Sequence, residues 1–368
     1  MIHIFIGTKA QYVKTAPVIK ELDSRGIGYN LIDSGQHAQI SQKYRKFFDI
    51  KDPDVYLSQS KEDIKTVSAM ISWFFSFLFR IIFNPKYIAE TLFKGKKGVC
   101  LIHGDTPTTL LSALAAKRVG IKVAHLESGL RSFNLFQPFP EEIIRIITMR
   151  IADILYAPNQ WSLDNLIKMK VKGEQYLVDG NTNIDVLRLA IKSDFSLPNG
   201  LTKHNFVVFS IHRVETILNR NRLTQIVSLA QKISEQTPVL FCMHPPTKKQ
   251  LKKWKLIDKL TNNPNIYEND LLDYPIFINT ITQSKFIVTD GGSIQEESYF
   301  LNIPCLVMRQ CTERIEGLNE NVCIANFDDK VIEDFIENSA KYRNSTYTDS
   351  DQYPSKGIVE HLISKNFH

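Results

Sequence analysis

The sequence predicts an α/β protein: two Rossmann-like, doubly wound parallel-sheet domains facing a central cleft. Three observations carry that expectation. Apolar runs of strand length alternate with helical patterns along the whole chain. The runs are apolar throughout, as strands covered on both faces by helices must be. Two such sets follow one another within 368 residues, a length that suits two domains.

In the first set, Ile2–Ile6 precedes a helical stretch around Ala16–Arg25, and Tyr29–Asp33 follows it. Val99–His103, a helix near Thr108–Val119 and Lys122–Leu126 repeat the rhythm. The second set consists of Phe206–Ile211, Val239–Cys242, Phe286–Thr289 and Cys305–Val307, again with helical segments between. The turn residues Gly180-Asn181-Thr182 mark the joint, giving domains 1–180 and 181–349, with a C-terminal segment of about 350–368 packing back on the first. Ligands of such sheets bind beyond the carboxyl ends of the strands, so the cleft is the expected site.

Composition narrows the class. Hydrophobic residues make up 43% and charged residues 23%, which excludes a disordered or fibrous chain. A net charge of +6 and a pI near 8.9 favour anionic ligands or an anionic membrane surface. They fall short of the basic footprint of a nucleic-acid binder. The five cysteines, Cys100, Cys242, Cys305, Cys311 and Cys323, show no CxxC and no zinc-like spacing. They read as buried thiols of a reducing compartment. The first seven residues read as a strand and lack the features of a signal peptide. The expectation is a cytoplasmic protein, or one on the cytoplasmic face of a membrane.

One segment stands apart. From Val67 to Phe83 the chain reads VSAMISWFFSFLFRIIF, with Ser68, Ser72, Ser76 and Arg80 forming one narrow polar stripe. It is shorter than the roughly 20 residues a transmembrane helix needs. The expected reading is a buried helix or an oligomer interface, in a homodimer. The alternative is a peripheral membrane contact helped by Lys94, Lys96 and Lys97.

Chemistry concentrates where the strands end. Gly7-Thr8-Lys9 opens a helix after the first strand, a place for an anion with Lys9 to help. Asp105 and Glu127 close two neighbouring strands, and Glu141 and Glu142 follow on a loop, with Arg145 one turn later. Carboxylates converging on one sheet edge repel and raise one another's pKa, as acid/base work requires. In the second half His212 closes the first strand. Thr289-Asp290-Gly291-Gly292-Ser293 then opens a helix that we expect to carry a hydroxyl cap and a carboxylate pair, with diphosphate on its N–H groups and Glu297 on a ribose. His244 reads as structural. No nucleophile elbow, Walker loop or metal-ligand spacing occurs.

Taken together, HGDTPTTLLSALAA, HLESGLRSFNLFQPFPEEIIRIITMRIAD, DGNTNID, SIHR, TDGGSIQEES and TER resemble the non-hydrolysing UDP-N-acetylglucosamine 2-epimerases. The likeness runs from Gly7 to about Asn326, with an echo in Tyr353-Pro354-Ser355-Lys356-Gly357. It implies the GT-B-like fold and inversion at C2 of the sugar by anti elimination of UDP and re-addition to a glucal, with no cofactor and no catalytic metal, supplying precursors of surface polysaccharide. Carried over, Asp105, Glu127 and Glu141 are the acid/base carboxylates, and His212 stabilises the departing diphosphate. Lys9, Lys14, Arg131, Arg145, Arg213, Phe277, Gly291, Gly292, Ser293, Glu297 and Arg314 hold the UDP-sugar. Gln36 and His37 match a region that binds a second, activating UDP-sugar.

The chain also departs from that pattern. Gly-Thr-Arg-Pro-Glu becomes Gly7-Thr8-Lys9-Ala10-Gln11, which loses a bidentate fork. Ser-Gly-Gly becomes Gly291-Gly292-Ser293, and Val214 and Leu272 replace an arginine and a glutamine. These changes leave a different UDP-sugar open. They also leave two other functions: a glycosyltransferase taking a lipid-linked or glycan acceptor, and an inactive UDP-sugar-binding subunit.

Overall fold

The computed structural model describes residues 1–36, 38–58, 67–135, 139–191, 196–197, 200–343 and 352–367. The chain forms two compact units, Met1–Val186 with Asp351–His368, and Leu187–Ser350. The division falls a few residues beyond the Gly180-Asn181-Thr182 turn.

The first unit is built on a seven-stranded, wholly parallel sheet. Its strands are β1 (Ile2–Ile6), β2 (Tyr29–Asp33), β3 (Val55–Tyr56), β4 (Val99–His103), β5 (Lys122–Leu126), β6 (Ile154–Ala157) and β7 (Glu174–Leu177), in the order β3-β2-β1-β4-β5-β6-β7. β1 pairs with β2 on one side and β4 on the other, Ile2 opposite both Tyr29 and Val99. The strand order reverses there, where doubly wound sheets open a crevice. Every residue of β1, β2 and β4 is buried. Phe5, Ile102, Leu111, Val123 and Leu155 belong to one continuous core between sheet and helices.

The helices start where the local chemistry directs. Thr8 and Gln11 form a capping box at the head of helix Lys9–Ser24. Thr106, followed by Pro107 at the first helical position, does the same for Pro107–Arg118. Helix Pro354–Ser364 returns to this unit. Arg25 meets Glu360 at 3.0 Å, the Ser355 amide donates to Asp185, and His361 lies 3.0 Å from the Tyr156 hydroxyl.

Helix Val67–Phe83 is only half covered. Phe77 and Ile81 enter the core, while Phe75 and Phe79 are each 61% exposed and Phe83 67%. The expectation of a helix buried by its own chain therefore holds for one face alone. The sequence pattern missed this because the exposed side carries Ile71, Phe75 and Phe79 alongside its narrow polar stripe. Among the described residues no single helix is long and apolar enough to cross a membrane.

The second unit has a six-stranded parallel sheet of β8 (Val207–Ser210), β9 (Val239–Met243), β10 (Ile266–Asp270), β11 (Phe286–Thr289), β12 (Cys305–Val307) and β13 (Val322–Ile324). The order is β10-β9-β8-β11-β12-β13, with the reversal between β8 and β11. Phe209 stacks on Phe241 and Phe286 meets Phe335 edge-on in its core. All five cysteines are unbridged, and Cys100, Cys242 and Cys305 are buried. Burial pushes the thiols of Cys242 and Cys305 up to about 12.

Candidate active site

In the first unit the catalytic candidates gather at the carboxyl ends of β4 and β5. Glu127 follows β5 directly, with its backbone at φ +60°. One carboxylate oxygen, Oε1, accepts from Lys14 Nζ and from Asn181 Nδ2, each at 2.6 Å. The other lies 3.9 Å from His103 Nδ1. Lys14, expected on the nucleotide, thus holds Glu127. Helix Lys9–Ser24 carries it there from the end of β1.

Asp105 stands one strand over and is clasped by Arg145, whose Nη2 lies 2.5 Å from Oδ2. Arg145 also reaches Glu142 at 3.2 Å. Glu142 is wholly buried and takes Arg131 Nε at 2.5 Å and the Ser132 amide at 3.1 Å. Burial pushes the Glu142 carboxyl up, but donation from Arg131, the Ser132 amide and Arg145 outweighs it and holds the group below the usual range. Arg131 and Arg145 are therefore clamped by a residue that the sequence placed only on the loop beside Glu141. Glu141, its neighbour, is half-buried at the head of helix Glu141–Ile151.

The carboxylates do not simply face one another, as the sequence reading had it. Glu127 and Asp105 each meet a buried cation. Beneath them His125 points its Nε2 at the Gly104 carbonyl oxygen, 2.8 Å away. Burial lowers its pKa to about 4, against the pull of that bond and of Asp105 and Glu127. A neutral imidazole donating from Nε2 supports the turn, in which Gly104 adopts φ +72°.

The head of helix Lys9–Ser24 is less available to an anion than expected. The amides of Gly7 and Thr8 both donate to Gln11 Oε1, and the Gln11 amide donates to Thr8 Oγ1. The Gln11 side-chain amide bonds in turn to the His103 carbonyl and Thr109. Lys9 lies over the Tyr44 ring. Gln36 is buried and accepts from Thr108, whereas His37 lies outside the described residues.

In the second unit the site candidates collect at the reversal between β8 and β11. Asp290, fully buried after β11, accepts the His212 and Arg213 amides at 2.9 and 3.0 Å. Burial pushes its carboxyl up, and those two N–H groups oppose the shift. The His212 ring stacks on His244 with centroids 4.6 Å apart, and His244 Nε2 lies 3.2 Å from Ser210 Oγ. His244 thus packs directly against the candidate catalytic ring.

Helix Gly292–Phe300 begins differently from the expectation. Its cap is Gly291, no side chain caps it, and its first turn carries no acid. A hydroxyl cap at Ser293 is excluded because that residue already lies inside the helix. Both glycines are demanded by neighbouring side chains. A Cβ on Gly291 would stand 2.9 Å from His212 Cε1, and one on Gly292 2.7 Å from Glu313 Oε1. Glu313 takes Arg213 at 3.1 Å and Arg309 at 2.9 Å, while Arg314 pairs with Glu296. Glu297 and Phe277 are buried on their helices. Sequence reading assigned no site role to Asn181, Glu142, Asp290, Glu296 and Glu313. Each lay inside a motif but reads alone as a turn or a cap. Among the described residues no group of acids, histidines or cysteines is placed to hold a metal ion.

This arrangement, carboxylates held at one sheet edge and a histidine beside a glycine-capped helix, fits the comparisons with known proteins. The model of the UDP-N-acetylglucosamine 2-epimerase family matches residues 20–356. The chain belongs to that family. A UDP-N-acetylglucosamine 2-epimerase of Methanococcus maripaludis is 32% identical, covering 87% of this chain and 86% of its own. A UDP-2,3-diacetamido-2,3-dideoxy-D-glucuronate 2-epimerase of Pseudomonas aeruginosa is 30% identical over 89% of each chain. The Methanocaldococcus jannaschii UDP-GlcNAc 2-epimerase, solved with UDP-GlcNAc and UDP, superimposes with a TM-score of 0.83 at 29% identity, covering 99% of both chains. The relatives are epimerases, and the glycosyltransferase alternative is not favoured.

Proposed function

We propose that this enzyme inverts C2 of UDP-N-acetylglucosamine, or of a close UDP-amino sugar, and so supplies precursors of surface polysaccharide. The observation that carries the reading is Glu127. It is a buried carboxylate on a left-handed backbone at a strand end, gripped by Lys14 and Asn181 at 2.6 Å each. A carboxylate so fixed suits proton transfer at carbon, where geometry decides the rate.

In the proposed reaction a carboxylate takes the C2 proton while the C1–O bond breaks and its electron pair leaves on UDP. A C1–C2 double bond remains. A second acid returns a proton to the opposite face of C2, and UDP re-attacks C1. Atoms and electrons balance without an oxidant. The first unit supplies the proton chemistry through Asp105, Glu127 and Glu141. The second supplies the nucleotide contacts, with His212 neutralising the departing diphosphate and the uncapped amides of Gly292 and Ser293 receiving it. The buried cations Arg145 and Lys14 hold two of the three carboxylates in position. A cytoplasmic homodimer completes the reading.

Proton NMR with UDP-GlcNAc in deuterium oxide tests it. Deuterium at C2 and a growing UDP-ManNAc signal are expected. A C2 signal unchanged in the presence of folded protein would exclude this substrate, and deuterium exchange with the diacetamido analogue alone would move the assignment to that sugar.

A further inference from the structure

We infer that the outer face of helix Val67–Phe83, with the basic segment that follows it, is a docking surface for an anionic phospholipid bilayer. Ile71, Phe75, Phe79, Ile82 and Phe83 are all about half exposed or more, and the Phe79 and Phe83 rings touch, with centroids 4.4 Å apart. They lie on the side of the helix away from Phe77 and Ile81, which anchor it to the core. An apolar stripe of this kind on an otherwise ordinary surface needs a cover.

The charge beside it indicates which cover. Residues 68–98 contain Arg80, Lys86, Lys94, Lys96 and Lys97 against a single acid, Glu90. Lys86, Lys96 and Lys97 are exposed, while Lys94 is tied to Asp54. The chain bends by 97° between Ser68–Phe83 and Pro85–Leu92. It then folds back through the Gly95 amide to Ala89 and the Lys96 amide to Phe93. The lysines are thereby held on a compact turn joined to Phe83. Aromatic side chains on one face with lysines at its margin suit an interface that is apolar a few ångströms down and anionic at its surface. The helix is about 25 Å long, too short to cross the roughly 30 Å hydrocarbon core, so it lies in the interface. The basic turn leads into β4 at the strand's amino end, whereas Asp105 and Glu127 stand at the carboxyl ends. Docking through the turn therefore leaves the edge with the carboxylates unobstructed.

The test is co-sedimentation of the full chain with vesicles of phosphatidylcholine, with and without phosphatidylglycerol, at low and high salt. The wild type is expected to pellet with the anionic vesicles and to be released by salt or by omitting phosphatidylglycerol. Phe79→Glu should weaken binding at least about ten-fold. Reversing Lys96 and Lys97 to Glu should weaken it by roughly five-fold per lysine or more. Because these sites are exposed, each variant should melt within about 2 °C of the parent and keep its mass in analytical ultracentrifugation. Folded wild type that stays in the supernatant with anionic vesicles overturns the inference. So does a Phe79→Glu variant of half the parent's mass, since the face is then covered by a second copy of the chain.

Discussion

Glu142→Gln separates a carboxylate that organises the site from one that merely starts a helix. Glu142 is wholly buried, with three donors on its two oxygens: Arg131 at 2.5 Å, the Ser132 amide at 3.1 Å and Arg145 at 3.2 Å. The amide keeps the shape and one acceptor oxygen, removes the charge, and turns an NH2 group toward a guanidinium. A charge-assisted hydrogen bond contributes about 1.5–3 kcal/mol. Removing one partner of a buried pair costs about 3–5 kcal/mol. Arg145 retains Asp105 as a counter-charge, so about 3 kcal/mol is expected, or a melting temperature lower by roughly 6–12 °C for a domain of this size. The sign of the pH dependence follows from the carboxyl being held below its usual range. Its stabilisation is complete above the unfolded value of about 4.3 and is lost as pH falls through the lower folded value. Differential melting of parent and variant should show a full gap at neutral pH that closes in acid. A gap below about 1 kcal/mol, or one that persists unchanged below that window, would show that Glu142 does not hold the two arginines. Turnover should fall by about ten-fold with KM nearly constant, because Arg145 would hold Asp105 less firmly.

Three further outcomes follow from the same geometry. Glu127→Gln should lose turnover by about 10² or more while still binding UDP, and near-parental rates by NMR would remove it from the chemistry. Gly291→Ala places a methyl 2.9 Å from His212 Cε1; a rate loss of at least about ten-fold at a stability cost of about 1–3 kcal/mol is expected, and unchanged kinetics would show that the His212 ring position is unimportant. Arg314→Ala strands the buried Glu296 and should cost about 3–5 kcal/mol of stability; with Arg314 also on the nucleotide, calorimetry on the folded variant should report UDP affinity lower by about 1.5–3 kcal/mol, and unaltered affinity would place the nucleotide elsewhere.

The fold was legible because parallel strands buried on both faces leave continuous apolar runs. Ile2–Ile6, Val99–His103 and Phe286–Thr289 stand out for that reason, and the structure has them at the same bounds. β3, β6, β7, β10 and β13 were not legible; β6 (Ile154–Ala157) is buried throughout but only four residues long, and β13 (Val322–Ile324) only three. Val55–Tyr56 is two residues long, and Glu174–Leu177 and Ile266–Asp270 lie toward sheet edges with exposed or half-buried residues. An edge strand lacks cover on both faces, so its pattern dilutes into that of a loop. The Val67–Phe83 helix fails in the opposite sense. Apolar residues surround its narrow stripe of Ser72, Ser76 and Arg80, so composition could not tell the side that meets the core from the side that meets something else.

The site shows a sharper limit. Motif and strand-end position identify residues able to do chemistry, but they do not reveal which charge each residue is spent on. The resemblance puts Lys14 on the nucleotide, yet its ammonium lies 2.6 Å from Glu127. The Gly291-Gly292 pair reads as room for a ligand, yet His212 and Glu313 already require the missing Cβ atoms. In both cases the deciding partner comes from a distant stretch of chain, 113 residues away for Lys14 and Glu127. A carboxylate buried beside a lysine and a ring packed on a glycine are facts about the sheet edge as a whole. The same holds for Gln11, whose amide satisfies the Gly7 and Thr8 N–H groups with its oxygen and the His103 carbonyl with its nitrogen. A glutamate there could accept the first two bonds but could not donate the third. At Gln11 the departure from the family's Gly-Thr-Arg-Pro-Glu opening is thus accommodated locally, by an amide that joins Thr109 in donating to the His103 carbonyl, and it does not of itself require a different reaction.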